Sequence, residues 1–307
     1  MSADHPTQPN HLVTVIIPTT CESRRSREVQ RAIDSVLAQE GVLPRILLVA
    51  NGDRFDPALL QSLRERRDLT LVYLPNGNVR DARAHGRSLV DTAFFCFLDD
   101  DDELMPHSLS LRLRTMLDDP SVDLVATNGY NVSASGQEPR NRNVGTVLAD
   151  PAKAMVTHNW LASSAGLFRT ATVTEADFRD LPEFSEWTLL AFRLACNRKV
   201  VFIDQLAYRI HDTAGSLSKS LRFVESDAEV IKAMLRVTNR PDLRRALLRK
   251  LSGSLHDISD QMAERGMYRK AWRYHLSSLR YPGGWKHLAA TRKLFLRWVY
   301  APKKIRD

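Results

Sequence analysis

The sequence predicts an α/β fold built on a mostly parallel, doubly wound sheet, followed by a basic α-helical appendage. Three observations carry this. Short apolar runs rich in β-branched and aromatic residues alternate with segments of helical periodicity between residues 12 and 127, the pattern of consecutive βα units. From residue 221 onward only helical patterns remain. At 307 residues the chain can bury one large core plus an appendage. The organisation expected is a disordered lead-in over 1–11, an α/β domain over 12–220 and a basic helical region over 221–307.

Residues 11–18 (HLVTVIIP) read as the first buried strand, with Pro18, Thr19 and Thr20 as its exit loop. Val29, Ile33, Val36 and Leu37 recur at helical spacing, which predicts an amphipathic helix over 26–39 ending near Gly41. A second buried strand at 46–50 closes on the turn Asn51-Gly52-Asp53, and a polar-faced helix at 57–67 leads to a third strand at 69–74. After a turn at 76–78, a helix over 79–90 carries Arg80, Arg83 and Arg87. The aromatic run 94–98 (FFCFL) is the fourth strand, and a helix at 106–117 with Leu109, Leu113 and Met116 inward leads to a strand at 122–127. Residues 128–150 are polar and turn-rich, as in a long loop or weak hairpin beside a site. A strand at 163–168, a helix at 185–196 and short strands at 200–204 and 207–210 complete the domain. The first strand–helix turn carries neither G-x-G-x-x-G nor G-x-x-x-x-G-K-[ST], which weighs against a dinucleotide fingerprint and a P-loop.

Apolar residues make up 43% and charged residues 26% of the chain, the proportions of a globular protein. No stretch approaches the roughly 20 uncharged residues of a membrane-spanning helix. The opening MSADHPTQPNH lacks the apolar core of a signal peptide. Cys21, Cys96 and Cys196 are odd in number and far apart, with no CxxC pair. That argues against a disulfide framework or a zinc site and suits a reducing cytoplasm. The charge is unevenly spread. Residues 222–307 hold 20 Lys/Arg against 8 Asp/Glu, whereas residues 1–221 hold 24 against 28. Between Arg265 and Arg306 lie 12 basic residues and no acidic one. A tail of this kind implies an anionic partner, membrane phospholipid or nucleic acid.

The fourth strand ends in five consecutive acids, Asp99, Asp100, Asp101, Asp102 and Glu103. They cannot enter the core, because unpaired buried charge is too costly. They must therefore emerge together at the strand's C-terminal end, where open α/β sheets bind ligands. Clustered carboxylates repel unless a positive charge sits among them, and a hard divalent cation with oxygen ligands is one answer. The plainer reading is an acidic cap for the next helix, before Met105 and Pro106. The two readings are compatible.

Six blocks, VTVIIPTTC (13–21), ILLVANGD (46–53), VRDARAHG (79–86), FLDDDDE (97–103), LPEFSEWTLLAFRLA (181–195) and YRIHDTAGSLS (208–218), follow one another in an order that resembles the inverting family 2 glycosyltransferases of GT-A, Rossmann-like fold, over roughly residues 12–220. VTVIIPTTC (13–21) is similar to that family's opening strand and turn, with Cys21 in place of Asn. ILLVANGD (46–53) resembles the strand ending in D-D-G-S, with Ala50 and Asn51 where the family has two acids. VRDARAHG (79–86) resembles the A-R-N helix, and FLDDDDE (97–103) the F-L-D-x-D-D strand end. LPEFSEWTLLAFRLA (181–195) resembles E-D-W-x-x-W-x-R-L, and YRIHDTAGSLS (208–218) resembles Y-R-x-H-x-x-S-x-S.

The resemblance implies a metal-dependent transferase that moves a sugar from a nucleotide-diphosphate donor, a UDP-sugar first and a dTDP-sugar second. It implies Mn2+ or Mg2+ neutralising the diphosphate as it leaves. Asp101 would be a direct metal ligand and His211 a third, with Asp99 facing the ribose and the metal's water shell. The four-Asp run also permits a shift of one residue, to Asp100 and Asp102. Pro18, Thr19 and Asn51 would line the base and ribose pocket, and Arg83 would approach the base or diphosphate. Asn51 has the alternative of closing a turn with Gly52. Arg80 and Arg87 read equally as solvated helix charges. Inversion needs one general base for the acceptor hydroxyl. Alignment on Trp187 places Glu183 there, with Asp180 and Glu186 as competitors and a helix N-terminal acid as the plainer use.

Residues 267–300 mix Trp272, Leu276, Leu279, Trp285, Leu288, Leu294, Phe295 and Trp298 with Arg and Lys. Amphipathic basic helices with Trp suit an anionic membrane leaflet, and the alternative is a stripe packed on the body. The partners expected are thus a nucleotide sugar, a glycan or lipid-linked acceptor and an anionic membrane surface through 265–306, with no nucleic acid. The place expected is the cytoplasm or the inner face of its membrane, in cell-surface polysaccharide or glycolipid synthesis. Two other functions stand beside this one. A sugar-nucleotide nucleotidyltransferase would need a Gly-rich, basic first loop, which Pro18-Thr19-Thr20 is not. A non-catalytic membrane- or nucleic-acid-binding protein would use only the tail, and the acidic strand end would repel phosphate.

Overall fold

The computed structural model describes residues 12–75, 77–182, 184–212 and 221–300. The described strands, all in one sheet, are β1 (Leu12–Thr19), β2 (Leu43–Asn51), β3 (Leu69–Leu74), β4 (Phe94–Phe97), β5 (Glu103–Leu104), β6 (Leu124–Ser133), β7 (Gly136–Pro139), β8 (Gly166–Arg169) and β9 (Val200–His211). Their order is β3-β2-β1-β4-β8-β6-β9-β5, with β7 paired to β6. β1 runs parallel to β2 and β4, and β2 to β3. β8 enters antiparallel between β4 and β6, and β6 is parallel to β9. β3, β2, β1, β4, β6 and β9 therefore point one way, opposed only by β8 and the short β5 and β7. This is the mostly parallel α/β fold that the alternating pattern predicts.

The chain divides into two compact units. The first holds the whole sheet with α1 (Ser26–Leu37), α2 (Pro57–Arg64), α3 (Val79–Ser88), α4 (Ser108–Asp118) and α5 (Val144–Ala149). Its central strands β1 and β4 are buried on both faces, as continuous apolar runs require: Val13, Val15, Ile16 and Ile17 of β1 are all inaccessible. The one polar residue among them, Thr14, shares a 2.7 Å hydrogen bond with Thr92. α1 buries Val29, Ala32, Ile33 and Val36 on one face. α2 starts on Pro57 behind Asp56, whose carboxylate accepts from the Ala58 and Leu59 N–H groups. α3 comes close to the sheet through Gly86, where a β-carbon would stand 2.5 Å from Ile16 Cγ2.

Of the two options the sequence left for residues 128–150, the structure takes the hairpin: β6 continues to Ser133 and turns into β7, and α5 follows. One feature differs from the reading of the sequence. The two short strands at 200–204 and 207–210 are one strand, β9. Register shifts against β6 between Thr127 and Tyr130 absorb the interruption.

The second unit holds α6 (Pro151–Thr157), α7 (Glu186–Asn197), α8 (Leu221–Val237), α9 (Pro241–Glu264), α10 (Tyr268–Ser278) and α11 (Leu288–Val299). α9 buries Leu243, Leu247, Leu251, Leu255, Ile258 and Met262 in one stripe. Small serines let α10 approach it: Ser252 donates to the Ser278 carbonyl at 2.9 Å and Ser259 to that of Ala271 at 2.8 Å.

Candidate active site

β1 lies between β2 and β4, so the strand order reverses there, and the crevice beyond the C-terminal strand ends is the place where such sheets bind ligands. Thr19 ends β1, Asn51 ends β2 and the acidic run follows β4. Pro18 sits in β1 opposite Val49 of β2. Asn51 is buried, and its amide donates to the Thr19 carbonyl at 2.9 Å, tying the two strand ends together. Thr19 Oγ1 accepts from the Cys21 N–H at 3.0 Å, and Cys21 is left-handed at φ 51°. Burial pushes the Cys21 thiol up to about 11, so at neutral pH it is an uncharged part of the wall.

The acidic run is folded into a turn closed by the Asp102 N–H on the Asp99 carbonyl at 3.0 Å, which sends successive side chains apart. Asp99 accepts from Arg83 Nη2 at 2.7 Å and from Ser163 Oγ at 2.9 Å. Asp100 is buried against the Arg25 guanidinium, and burial pushes its carboxyl up to about 6 although Arg25 pulls the other way. Asp101 pairs with Arg25 Nη2 at 3.3 Å, and its carbonyl accepts from Arg31. Asp102 is buried too, accepting from Ser164 Oγ at 3.1 Å and the His211 N–H at 3.2 Å, so the five acids do not all emerge as expected: Asp100 and Asp102 turn inward, where these partners and Arg25 make their burial tolerable. Burial raises the Asp102 carboxyl well above the usual range, and the neighbouring charges of Asp99 and Asp101 add to this.

Glu103 starts β5, which pairs with β9 at Arg209. Its carboxylate lies 3.3 Å from Arg209 Nη1 and 3.3 Å from His211 Nε2. α4 starts at Ser108 behind His107, and its first turn carries no acid. The acids therefore do not cap that helix, because β5 pairing takes up the chain in between. The openness of the carboxylates differs. The side chains of Asp99 and Asp101 are 32% and 17% exposed, against 6% for Asp100, and Asp102 is buried.

Of the residues expected at the site, the structure brings Thr19, Asn51, Arg83, Asp99 and Asp101 to one end of the sheet. His211 sits on β9 beside Glu103. Glu183 lies outside the described residues. Among the described residues, no three His, Cys, Asp or Glu side chains come together as a metal-binding group. Arg87 is not a solvated helix charge: it is buried, donates to the carbonyls of Val173 at 3.0 Å and Thr170 at 2.7 Å, and lies 4.6 Å over the Phe95 ring. Arg80 donates to the Leu181 carbonyl at 3.3 Å.

Arg25, Arg31, Ser163 and Ser164 complete this arrangement without having been singled out from the sequence. A signal existed for Arg25 alone. It precedes α1 at the helix N-terminus, where the helix dipole disfavours cations. Such a local violation marks a residue placed for another purpose. A cleft of about 920 Å³ lies beside α1 and α2, but of the five acids only Glu103 lines it. The cleft is thus distinct from the Asp99 end of the sheet.

The sequence matches the family model described as glycosyl transferase family 2 over residues 14–172, just over half of the chain. No curated protein sequence matches it. Among solved structures, it is similar to TarS 1–349 of S. aureus in complex with UDP-GlcNAc, with TM-score 0.56 and 17% identity over 80% of this chain and 71% of that one. It is also similar to the mannosyltransferase PcManGT from Pyrobaculum calidifontis in complex with GDP-Man and Mn2+. There the TM-score is 0.57 and the identity 14%, over 96% of this chain and 81% of that one. At such identities these likenesses establish the fold.

Proposed function

Since the chain belongs to glycosyltransferase family 2, we propose that it moves one sugar, with inversion, from a nucleotide-diphosphate donor to an acceptor hydroxyl. The observation that carries this reading is the pairing of Arg83 with Asp99 at the crevice where β1, β2 and β4 end. A cation and a carboxylate side by side suit a ligand with both an anionic diphosphate and a hydroxylated ribose. The UDP-GlcNAc and GDP-Man of the two similar structures support this donor class. A UDP-sugar is our first choice and a dTDP-sugar the second. The nucleotidyltransferase and tail-only readings have no comparable support.

Pro18, Thr19 and Asn51 would form the floor beneath the base and ribose, with Asn51 held in place by its bond to Thr19. Asp99 would accept from the ribose. Arg83 would face the diphosphate and stabilise the charge that develops as the donor bond breaks. Arg25 compensates the charge of Asp100 and Asp101 behind them. Glu183 would take the proton from the acceptor hydroxyl during in-line attack. The acceptor would be a glycan or lipid-linked sugar, at the cytoplasmic face of a membrane.

Asp99, Asp101 and His211 are of the residue types that hold Mn2+, and the two carboxylates suit Mg2+ as well, although among the described residues they do not stand together as a preformed group. The greater openness of Asp99 and Asp101 favours this register over Asp100 and Asp102. When bound, the cation would supply Lewis-acid neutralisation of the diphosphate. Titration with UDP, dTDP and GDP, each with and without Mn2+, tests the proposal. Metal-strengthened binding of one nucleotide is expected, and no metal-dependent binding of any of them would overturn it.

A further inference from the structure

The helix α11 is amphipathic with its larger apolar side turned outward. Leu294 is its one buried residue. On the same side Thr291 Oγ1 meets His275 Nε2 of α10 at 2.7 Å. These contacts account for how α11 packs within its unit. They leave Leu288 58% and Phe295 48% exposed on one helical face, with Leu296 exposed beside them. The turn before the helix adds Trp285, 71% exposed, with Lys286 Nζ 5.9 Å over its ring. Trp298, packed edge-on to Phe295 at 6.2 Å, is a second exposed indole. Single exposed apolar residues are ordinary, whereas a contiguous set on one face signals a partner.

The charge around this face identifies the partner. Arg292 lies on the apolar face itself and Lys293 follows it, both exposed. No acidic residue occurs between Arg265 and Arg306 to offset them. An apolar face that carries one basic residue and is flanked by another, with indoles at the boundary, matches a bilayer whose headgroups are anionic. Duplex nucleic acid would use the charge but would leave the Leu and Phe side chains in water.

We infer that the outward face of α11, with Trp285 from the preceding turn, docks on the surface of an anionic lipid bilayer. The helix lies in the interface plane with Leu288, Phe295 and Leu296 among the acyl chains. Lys293, on the flank, sits at the headgroups, and Arg292 reaches them from the apolar face by extending its long stem. Among the described residues no helix is long and apolar enough to cross a membrane, so contact through these helices is from one side. This inference does not depend on the glycosyl-transfer reading.

Flotation of the full chain with vesicles tests it. At low salt the protein is expected to float with phosphatidylcholine vesicles containing phosphatidylglycerol and to stay behind with pure phosphatidylcholine. In about 1 M salt, where the Debye length falls to about 3 Å, flotation is expected to weaken sharply. Arg292→Gln with Lys293→Gln should lower partitioning about thirty-fold, from about 1 kcal/mol per basic residue near the surface. Leu288→Ser with Phe295→Ser should abolish it. All four residues are exposed, so the circular dichroism melt serves as a control and should not change. Absence of flotation with anionic vesicles, equal flotation with both vesicle types, or variants that float like the parent would each overturn the inference. So would retention of duplex DNA by a protein that ignores vesicles.

Discussion

Arg83 Nη2 and Asp99 Oδ1 meet at 2.7 Å, joining the helix α3 to the end of the strand β4. Arg83 is buried on the helix, whereas its partner is about one-third exposed, so the guanidinium is fixed and the carboxylate is open to a ligand. Replacing Arg83 by Gln keeps a donor but removes the charge that faces Asp99 and, in our reading, the diphosphate. A hydrogen bond to a charged group is worth about 1.5–3 kcal/mol. Nucleotide affinity of Arg83→Gln should therefore fall about ten- to a hundred-fold. Calorimetric titration checks this, and unchanged affinity would remove Arg83 from the site.

Gly86 lies one helical turn beyond Arg83 and sets how closely α3 approaches the sheet. A β-carbon there would stand 2.5 Å from Ile16 Cγ2 and 3.2 Å from Val49 Cγ2, both on buried branched side chains that cannot retreat. Gly86→Ala should destabilise the fold by about 1–3 kcal/mol, the usual range for overpacking. Urea denaturation should show a lower midpoint with an unchanged slope. Because the helix must lift, Arg83 should also lose its contact, so nucleotide binding should weaken in the protein that remains folded.

The sheet was legible in the sequence where burial on both faces leaves continuous apolar runs, as in β1, β2 and β4. It was less legible where the chain turns polar. Asp204 and Gln205 interrupt β9, and β5 is two residues long and starts with Glu103, which no apolar pattern reveals. The acidic cluster was legible as a cluster, but its partners were not. Arg25 reaches Asp100 across 75 residues of sequence, a separation set by the adjacency of β1 and β4 alone. Arg87 shows the opposite limit. A basic residue on a helix reads as solvated, and only the loop at Thr170–Val173 supplies the carbonyls that make its burial tolerable.

A histidine cluster within the helical unit gives a stability prediction with a defined sign. The His256 ring lies 4.1 Å from that of His287 and 6.1 Å from that of His275. Burial, and then the neighbouring histidines, lower the pKa values of His275 and His287. Asp260 opposes this at both, Asp257 opposes it at His287, and Lys286 reinforces it there. For bases depressed in the folded state, the unfolded chain takes up protons first. The contribution of these histidines should thus be flat above the ordinary histidine range near pH 6.5 and be lost as pH drops through that range towards the depressed values. Asp100 and Asp102, whose carboxyls burial raises, act in the opposite sense over the same range, so the parent is compared with His275→Gln, which keeps a partner for Thr291. Between pH 8 and 5 (about the span over which histidine titrates) the melting temperature of the parent should fall relative to that of His275→Gln only in the lower half.

The roles proposed for Asp101 and Glu183 separate cleanly by experiment. A ligand that holds the donor's cation acts before chemistry, whereas a general base acts only in the transition state. Asp101→Asn should therefore lose the metal-dependent part of nucleotide binding, seen by calorimetry with and without Mn2+, and transfer should fall with it. Glu183→Gln should bind the nucleotide as the parent does, yet its kcat should drop by about a hundred- to ten-thousand-fold, the range for losing general-base assistance. The same pair of measurements on Asp180→Asn and Glu186→Gln tests the competing acids. If either of them shows the split of intact binding with lost turnover and Glu183→Gln does not, the base is that residue. Asp101 would keep its assignment, since its test rests on binding alone.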